Sequence, residues 1–224
     1  LRNYHELSRA FFILFLLFIY VIAIMAAGRR IGNFYKDYEG LVLTLHLLAM
    51  SYFATTLALR FVFPLIILEG RSAWVLWSSP FDRKKIFLEK FFLTGIALFI
   101  IMLIFLLVTS SALGFTPISL AVSATLLLFL VFTIAGLSLS FGTMFPNFHE
   151  KNIDRLTTST GGLLTTFVSL AYGALMGLLN FKAISLELKP EFWPWFLLAI
   201  GISAVLTASS LYSGIKRIRR LEVT

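Results

Sequence analysis

Residues 91–113 read FFLTGIALFIIMLIFLLVTSSAL, a run without a charged side chain. A helix of about 20 apolar residues is long enough to cross a hydrocarbon core of roughly 30 Å. Similar runs recur along the chain, and together they predict six membrane-spanning helices. The predicted spans are 10–28, 41–60, 91–113, 117–142, 162–180 and 193–213.

The composition agrees with a membrane protein. Of the 224 residues, 59% are hydrophobic and only 13% are charged, whereas about a quarter of a soluble domain is charged. The stretches between the apolar runs are too short for a separate soluble catalytic domain. We therefore expect an all-α, polytopic membrane protein that forms a single transmembrane domain over residues 1–224.

The positions of the acidic residues and the absence of cysteine exclude several kinds of site. All eleven Asp and Glu residues fall between the predicted spans or at their ends, and the chain has no cysteine. Ion-coupled transporters and intramembrane aspartyl proteases need a carboxylate within the membrane, and thiolate metal sites need cysteine. We predict neither a catalytic residue nor a metal site in this chain.

The net charge of +8 is unevenly distributed along the sequence. With the N-terminus in the cytoplasm, thirteen Lys and Arg residues fall on the inner side and five on the outer side. Positive charge collects in cytoplasmic loops, so we expect a multi-pass protein of the plasma (inner) membrane with both termini cytoplasmic. Since topology accounts for the charge, we expect the lipid bilayer as a partner and not a nucleic acid.

Two features inside the predicted spans each have two possible interpretations. His46 is either a hydrogen-bonded contact between helices or the centre of a hydrolytic site. In the fifth span, five residues with small side chains recur every four residues and share one helix face. This face is predicted to pack closely, either within the chain or against another subunit. It consists of Gly161, Thr165, Ser169, Gly173 and Gly177.

The segment between the second and third spans, EGRSAWVLWSSPFDRKK (69–85), is both apolar and basic. Pro64 is expected to end or kink the second helix. Ser79 is predicted to cap the next helix, with Pro80 at its first position and Asp82 near its positive end. The segment is thus predicted to form a helical elbow on the cytoplasmic face.

The elbow has two interpretations, an anchor in the membrane interface or a docking element for a cytoplasmic partner. The second inner loop, FGTMFPNFHEKNIDRL (141–156), mixes aromatic and charged residues in the same way, so the two segments together are predicted to form a composite dock. The residues predicted to contact the partner include Trp74, Arg83, Pro146, Phe148 and Glu150.

Residues 60–90, RFVFPLIILEGRSAWVLWSSPFDRKKIFLEK, resemble a pattern in permease subunits of type-2 ATP-binding-cassette exporters. The shared features are the arginine and proline that close helix 2, a Glu-Gly-basic triplet, a Ser-Pro elbow and a lysine that starts helix 3. Residues 141–162 resemble the second cytoplasmic loop of the same family. The resemblance covers roughly residues 41–180.

In that family, the elbow is a coupling helix that contacts a separate nucleotide-binding subunit. The resemblance places Glu69, Gly70, Arg71, Ser79 and Pro80 at this contact. Since the sequence lacks the nucleotide-binding motif GxxxxGK[ST], we expect that the chain is not an enzyme. ATP and Mg are then expected in a cytoplasmic ATPase subunit, with no cofactor in this chain.

The expected function is a membrane permease that couples ATP hydrolysis by its partner to substrate export. A second permease unit is expected too, either another copy or an N-terminal half if this chain is the C-terminal half of a longer permease. The alternative function is a non-transporting membrane scaffold or accessory subunit of a larger membrane complex.

Overall fold

The computed structural model describes residues 11–27, 39–69, 82–114, 116–146, 150, 152–185 and 192–220. Within these ranges the regular structure is helical and no strand occurs, as predicted for an all-α protein. The helices are α1 Phe11–Ala27, α2 Glu39–Phe61, α3 Leu65–Glu69, α4 Arg83–Leu113, α5 Pro117–Met144, α6 Ile153–Thr157, α7 Thr160–Ser185 and α8 Phe192–Arg220.

Five stretches are long and apolar enough to cross a membrane. They lie at the second to sixth predicted spans, whereas the first predicted span forms α1, an apolar but shorter helix. The structure therefore supports a membrane protein with five candidate spans, and the first predicted span is not confirmed. The five stretches are Gly40–Leu68, Arg83–Leu113, Pro117–Met144, Thr160–Ala183 and Phe192–Ile218.

A turn at Pro64 separates α2 from α3. Helix α2 ends at Phe61 and α3 begins at Leu65. The backbone N–H of Phe63 still donates to the carbonyl of Ala58 at 2.9 Å, but proline has no N–H with which to continue the pattern. The predicted break in the second helix is confirmed.

Helix α4 begins later than predicted. Its N-cap is Asp82, whose carboxylate accepts a hydrogen bond from the backbone N–H of Lys84 at 3.0 Å. The prediction that Ser79 caps this helix is therefore wrong. Aspartate caps a helix as well as serine does, and Asp82 stands directly before the first helical residue. Ser79, Pro80 and the rest of the elbow, residues 70–81, lie outside the described residues.

The helices share one apolar core, with α5 at its centre. Leu130, Val131, Ile134 and Ala135 of α5 are fully buried, and they belong to one apolar cluster with residues of α1, α2, α4, α7 and α8. The opposite faces of α4 and α8 are apolar but exposed, as Leu93 illustrates. Such faces suit a hydrocarbon surrounding, because lipid tails are as apolar as these side chains.

Candidate functional site

Polar and apolar contacts between helix ends combine where α2, α3, α5 and α6 meet. We call this cluster the junction. It consists of Arg60, Phe63, Ile67, Phe141, Gly142, Asp154 and Leu156. It matters for function because it joins the parts of the chain that flank the predicted elbow and the second inner loop.

A small apolar cluster forms the centre of the junction. Phe63, Ile67 and Leu156 are buried together, and Phe141 packs against them. The cluster is separate from the main core. It fixes α3 and α6, each only five residues long, because helices of this length are not stable alone.

Gly142 brings α5 into backbone contact with the turn after α2. A methyl group added at Gly142 would overlap the carbonyl oxygen of Phe63. Any other residue would therefore push α5 away from this turn, since the obstacle is backbone and cannot rotate aside. The turn and the end of α5 are therefore in direct backbone contact.

Charged side chains surround the apolar cluster. A guanidinium nitrogen of Arg60 lies 3.8 Å from a carboxylate oxygen of Asp154, and Arg155 lies 3.4 Å from Glu150. The other carboxylate oxygen of Glu150 accepts from the backbone N–H of Asn152 at 3.0 Å, and Asn152 itself caps α6. These contacts tie the start of α6 to the end of α2.

The structure describes only part of the predicted partner contact. Glu69 is the last residue of α3, Arg83 is the first of α4, and the half-buried Pro146 and Glu150 follow α5. Their role in partner contact stays a prediction. The remaining predicted contacts lie outside the described residues: Gly70, Arg71, Trp74, Ser79, Pro80 and Phe148.

Sequence reasoning did not identify Phe63, Gly142 and Leu156 as members of one site. The three residues are far apart in the sequence, and each also reads as an ordinary helix residue. The available signal was Gly142 in the Phe-Gly pair before the second inner loop, because glycine within a helix often marks a close backbone approach.

The small-residue face of α7 contacts other helices of the same chain. Gly173 lies against Ser51 of α2, and a Cβ at Gly177 would lie 3.0 Å from Leu48 of α2. At the other end of the face, a Cβ at Gly161 would lie 2.7 Å from Cβ of Phe145. Thr165 and Ser169 are fully buried between these points.

His46 joins three helices through its two ring nitrogens. Nδ1 lies 2.9 Å from the Tyr20 hydroxyl, and Nε2 lies 2.9 Å from Oγ1 of Thr109. Since the Thr109 hydroxyl donates to the carbonyl of Phe105 at 2.8 Å, it accepts from Nε2–H, and Tyr20 donates to Nδ1. The ring thus links α1, α2 and α4, which fits the helix-contact interpretation.

A second polar group links α5, α7 and α8 within the bundle. The hydroxyls of Tyr172 and Ser203 lie 2.7 Å apart, and those of Thr133 and Thr207 lie 2.9 Å apart. Ser203 donates to the carbonyl of Ala199 at 2.6 Å, so it accepts from Tyr172. Hydrogen bonds of this kind hold helices together within a membrane.

Residues 2–223 match the family described as "Putative ATP-binding cassette". The chain belongs to this family. No curated protein and no solved structure matches the chain.

Membership in the ATP-binding-cassette family corrects the predicted identity. The family description points to the nucleotide-binding side of such systems, so the assignment to permease subunits of type-2 exporters is wrong, and so is the exporter function drawn from it. The resemblance depended on two short motif regions, residues 60–90 and 141–162, whereas the family match extends over nearly the whole chain.

The same membership contradicts two further predictions about this ATP-binding-cassette protein. The family description indicates nucleotide binding, against the predictions that the chain is not an enzyme and that ATP and Mg belong only to a partner. Those predictions depended on the missing GxxxxGK[ST] motif, which describes one kind of phosphate-binding loop. The link to ATP-binding-cassette transporters is retained, and the five apolar helices are compatible with a membrane protein.

Proposed function

We propose that this chain is a membrane-embedded component of an ATP-binding-cassette transporter, and that a soluble subunit of the same transporter docks beside the junction. Family membership supplies the link to nucleotide-dependent transport, and the five candidate spans support the membrane location. The observation that carries the proposal is the junction itself. It connects two segments of mixed apolar and charged residues, 69–85 and 145–152, to the ends of two candidate spans.

The junction is suited to transmitting movement from a docked subunit into the membrane. A push on α3 displaces Phe63 and Ile67, which are packed on Leu156 and Phe141. Because Gly142 leaves no gap between α5 and the carbonyl of Phe63, α5 moves with the turn. Closely packed interiors shift between discrete arrangements and do not deform smoothly.

We place the junction end of the bundle on the cytoplasmic side of the plasma (inner) membrane, with both termini on that side. Gly214 near the end of α8 lies against Phe87 at the start of α4 and Ser140 at the end of α5, so these ends are neighbours. The same end carries Lys84, Lys85, Lys216 and Arg217. Positive charge of this density is typical of a cytoplasmic face.

The residues predicted to contact a partner belong to this docking proposal. Glu69 and Arg83 border the elbow, and Pro146 and Glu150 border the second loop, directly beside the junction. The sequence predicts further partner contacts on the same two segments. These are Gly70, Arg71, Trp74, Ser79, Pro80 and Phe148.

The proposal is tested by Gly142→Ala in the transporter purified from native membranes. The added methyl group meets the Phe63 carbonyl, and overpacking of this kind costs roughly 1–3 kcal/mol. We expect the variant complex to lose soluble subunit and to hydrolyse ATP several-fold more slowly than the wild type, with its helix content retained by circular dichroism.

Gly201→Ala is the matched control, because Gly201 is also helical and nothing lies within 4 Å of a Cβ built there. It should behave as the wild type does. Equal ATP hydrolysis and equal subunit recovery in the two variants would remove the junction from the mechanism. A purified wild-type complex that neither binds nor hydrolyses ATP would overturn the transporter proposal as a whole.

A further inference from the structure

A cleft lies between the end of α5 and the end of α8. Its volume is about 370 Å³. The lining combines two basic side chains with aromatic and aliphatic ones: Met144, Phe145, Tyr212, Ser213, Lys216 and Arg217. None of these residues belongs to the junction or to the predicted partner contact.

We propose that this cleft binds the phosphate headgroup of an anionic phospholipid. The ammonium group of Lys216 and the guanidinium group of Arg217 are charged donors for phosphate oxygens. Met144, Phe145 and Tyr212 provide apolar surface beside them for the glycerol and the first acyl carbons. The proposal does not depend on subunit docking at the junction.

The charges of the cleft are available to a ligand. Lys216 and Arg217 are both exposed, and neither forms an ion pair within the described ranges. They are also the first charged residues of α8, since residues 193–215 contain none. The cleft therefore lies where the apolar part of α8 ends, at the depth of lipid headgroups.

The aromatic wall of the cleft is held in place from behind. Phe145 stacks on Phe141 with ring centroids 6.3 Å apart, and Gly161 of α7 packs against its Cβ. On the other side, Gly214 lets α8 approach Phe87 and Ser140 closely. Because both walls are fixed, a ligand does not have to order the cleft before it binds.

An exposed apolar stripe on α8 favours a lipid over other phosphate-containing ligands as the occupant of the cleft. Leu198, Val205 and Tyr212 are all strongly exposed, and their seven-residue spacing places them along one helix face. The stripe reaches the cleft at Tyr212, so it offers a path for an acyl chain. The phosphates of ATP share the headgroup chemistry but have no chain to lie on this stripe.

The test measures lipid retention on the purified full-length chain by native mass spectrometry. We compare phosphatidylglycerol with phosphatidylcholine, for the wild type and for Lys216→Gln/Arg217→Gln. The wild type should prefer phosphatidylglycerol, and the double variant should lose this preference by roughly tenfold or more, since each basic residue near an anionic surface contributes appreciably. Lys216→Arg/Arg217→Lys keeps both charges and should keep the preference.

Lys84→Gln/Lys85→Gln is the matched control, because it removes two exposed charges from the same end of the bundle. Its lipid preference should stay within about twofold of the wild type, because neither lysine lines the cleft. An equal loss in both double variants, or no wild-type preference, would overturn the proposal. The proposal would also be overturned if Mg-ATP displaced phosphatidylglycerol and the Lys216→Gln/Arg217→Gln variant no longer bound ATP. The cleft would then be a nucleotide site.

Discussion

At the scale of single residues, Gly173 sets the distance between α2 and α7. A methyl group there would overlap the hydroxyl of Ser51, so the two backbones approach as closely as glycine allows. The sequence predicted that this face packs closely, because small side chains at four-residue spacing share one side of a helix. The sequence did not predict whether this face packs within the chain or against another subunit. The structure places Gly173 and Gly177 against α2 of the same chain.

We predict that Gly173→Ala destabilises the bundle. Alanine favours the helix by about 1 kcal/mol over glycine, but the overlap with Ser51 costs roughly 1–3 kcal/mol. Thermal unfolding in detergent should therefore begin at a lower temperature than in the wild type. Gly201→Ala gains the same helix propensity without the overlap, and it should unfold at the same or a higher temperature.

A double variant separates this overlap from other effects. The Ser51 hydroxyl is buried and makes no hydrogen bond in the structure, so Ser51→Ala alone should be nearly neutral. Combined with Gly173→Ala, it should restore part of the lost stability, since the closest obstacle is removed. Strictly additive effects of the two substitutions would contradict the described contact.

The partners of His46 could not be predicted from the sequence. Tyr20 and Thr109 stand 26 and 63 positions away from it, and many other hydroxyl groups occur in the spans. Local patterns therefore predicted a polar contact but not its members. Only the packing of α1, α2 and α4 selects these two hydroxyls.

At the scale of helices, the start of α4 shows how a capping residue sets a boundary. Serine, threonine, aspartate and asparagine are all good caps, so a stretch with Ser79 and Asp82 offers more than one start. The structure uses Asp82. The long apolar helices were predictable from hydropathy, whereas α3 and α6 were not, because their few residues are held by contacts at the junction.

We predict that Asp82→Ala loosens the first turn of α4. The carboxylate of Asp82 accepts from the N–H of Lys84 at 3.0 Å, and loss of such a cap costs about 0.5–2 kcal/mol. Hydrogen exchange at the first turn of α4 should become faster, while exchange in the middle of the helix stays unchanged. Asp82→Asn keeps the acceptor oxygen and should exchange as the wild type does.

At the scale of the whole molecule, hydropathy and charge predicted the helical membrane body but not the family assignment. The predicted exporter identity came from two motif regions, and the family match over residues 2–223 overturns it. Two short motif regions are weaker evidence than a match over nearly the whole chain, and fold or motif resemblance alone does not establish function. The junction likewise needed the structure, because its residues come from four separate helices and the turn after α2.

The account depends on α4 crossing the membrane, with the junction end on the cytoplasmic side. Since the chain has no cysteine, single cysteines can report on each end without background. Lys84 is exposed at the start of α4, and Ile118 is exposed in the first turn of α5, beyond the other end of α4. One position lies in the first turn of a helix of 31 residues, and the other lies beyond its last residue.

The decisive measurement is labelling of Lys84→Cys and Ile118→Cys with a membrane-impermeant maleimide, in intact cells and in inverted membrane vesicles. The account predicts that Ile118→Cys reacts in intact cells and Lys84→Cys reacts in inverted vesicles. Reaction of both cysteines from the same side, or of Lys84→Cys in intact cells, would contradict it.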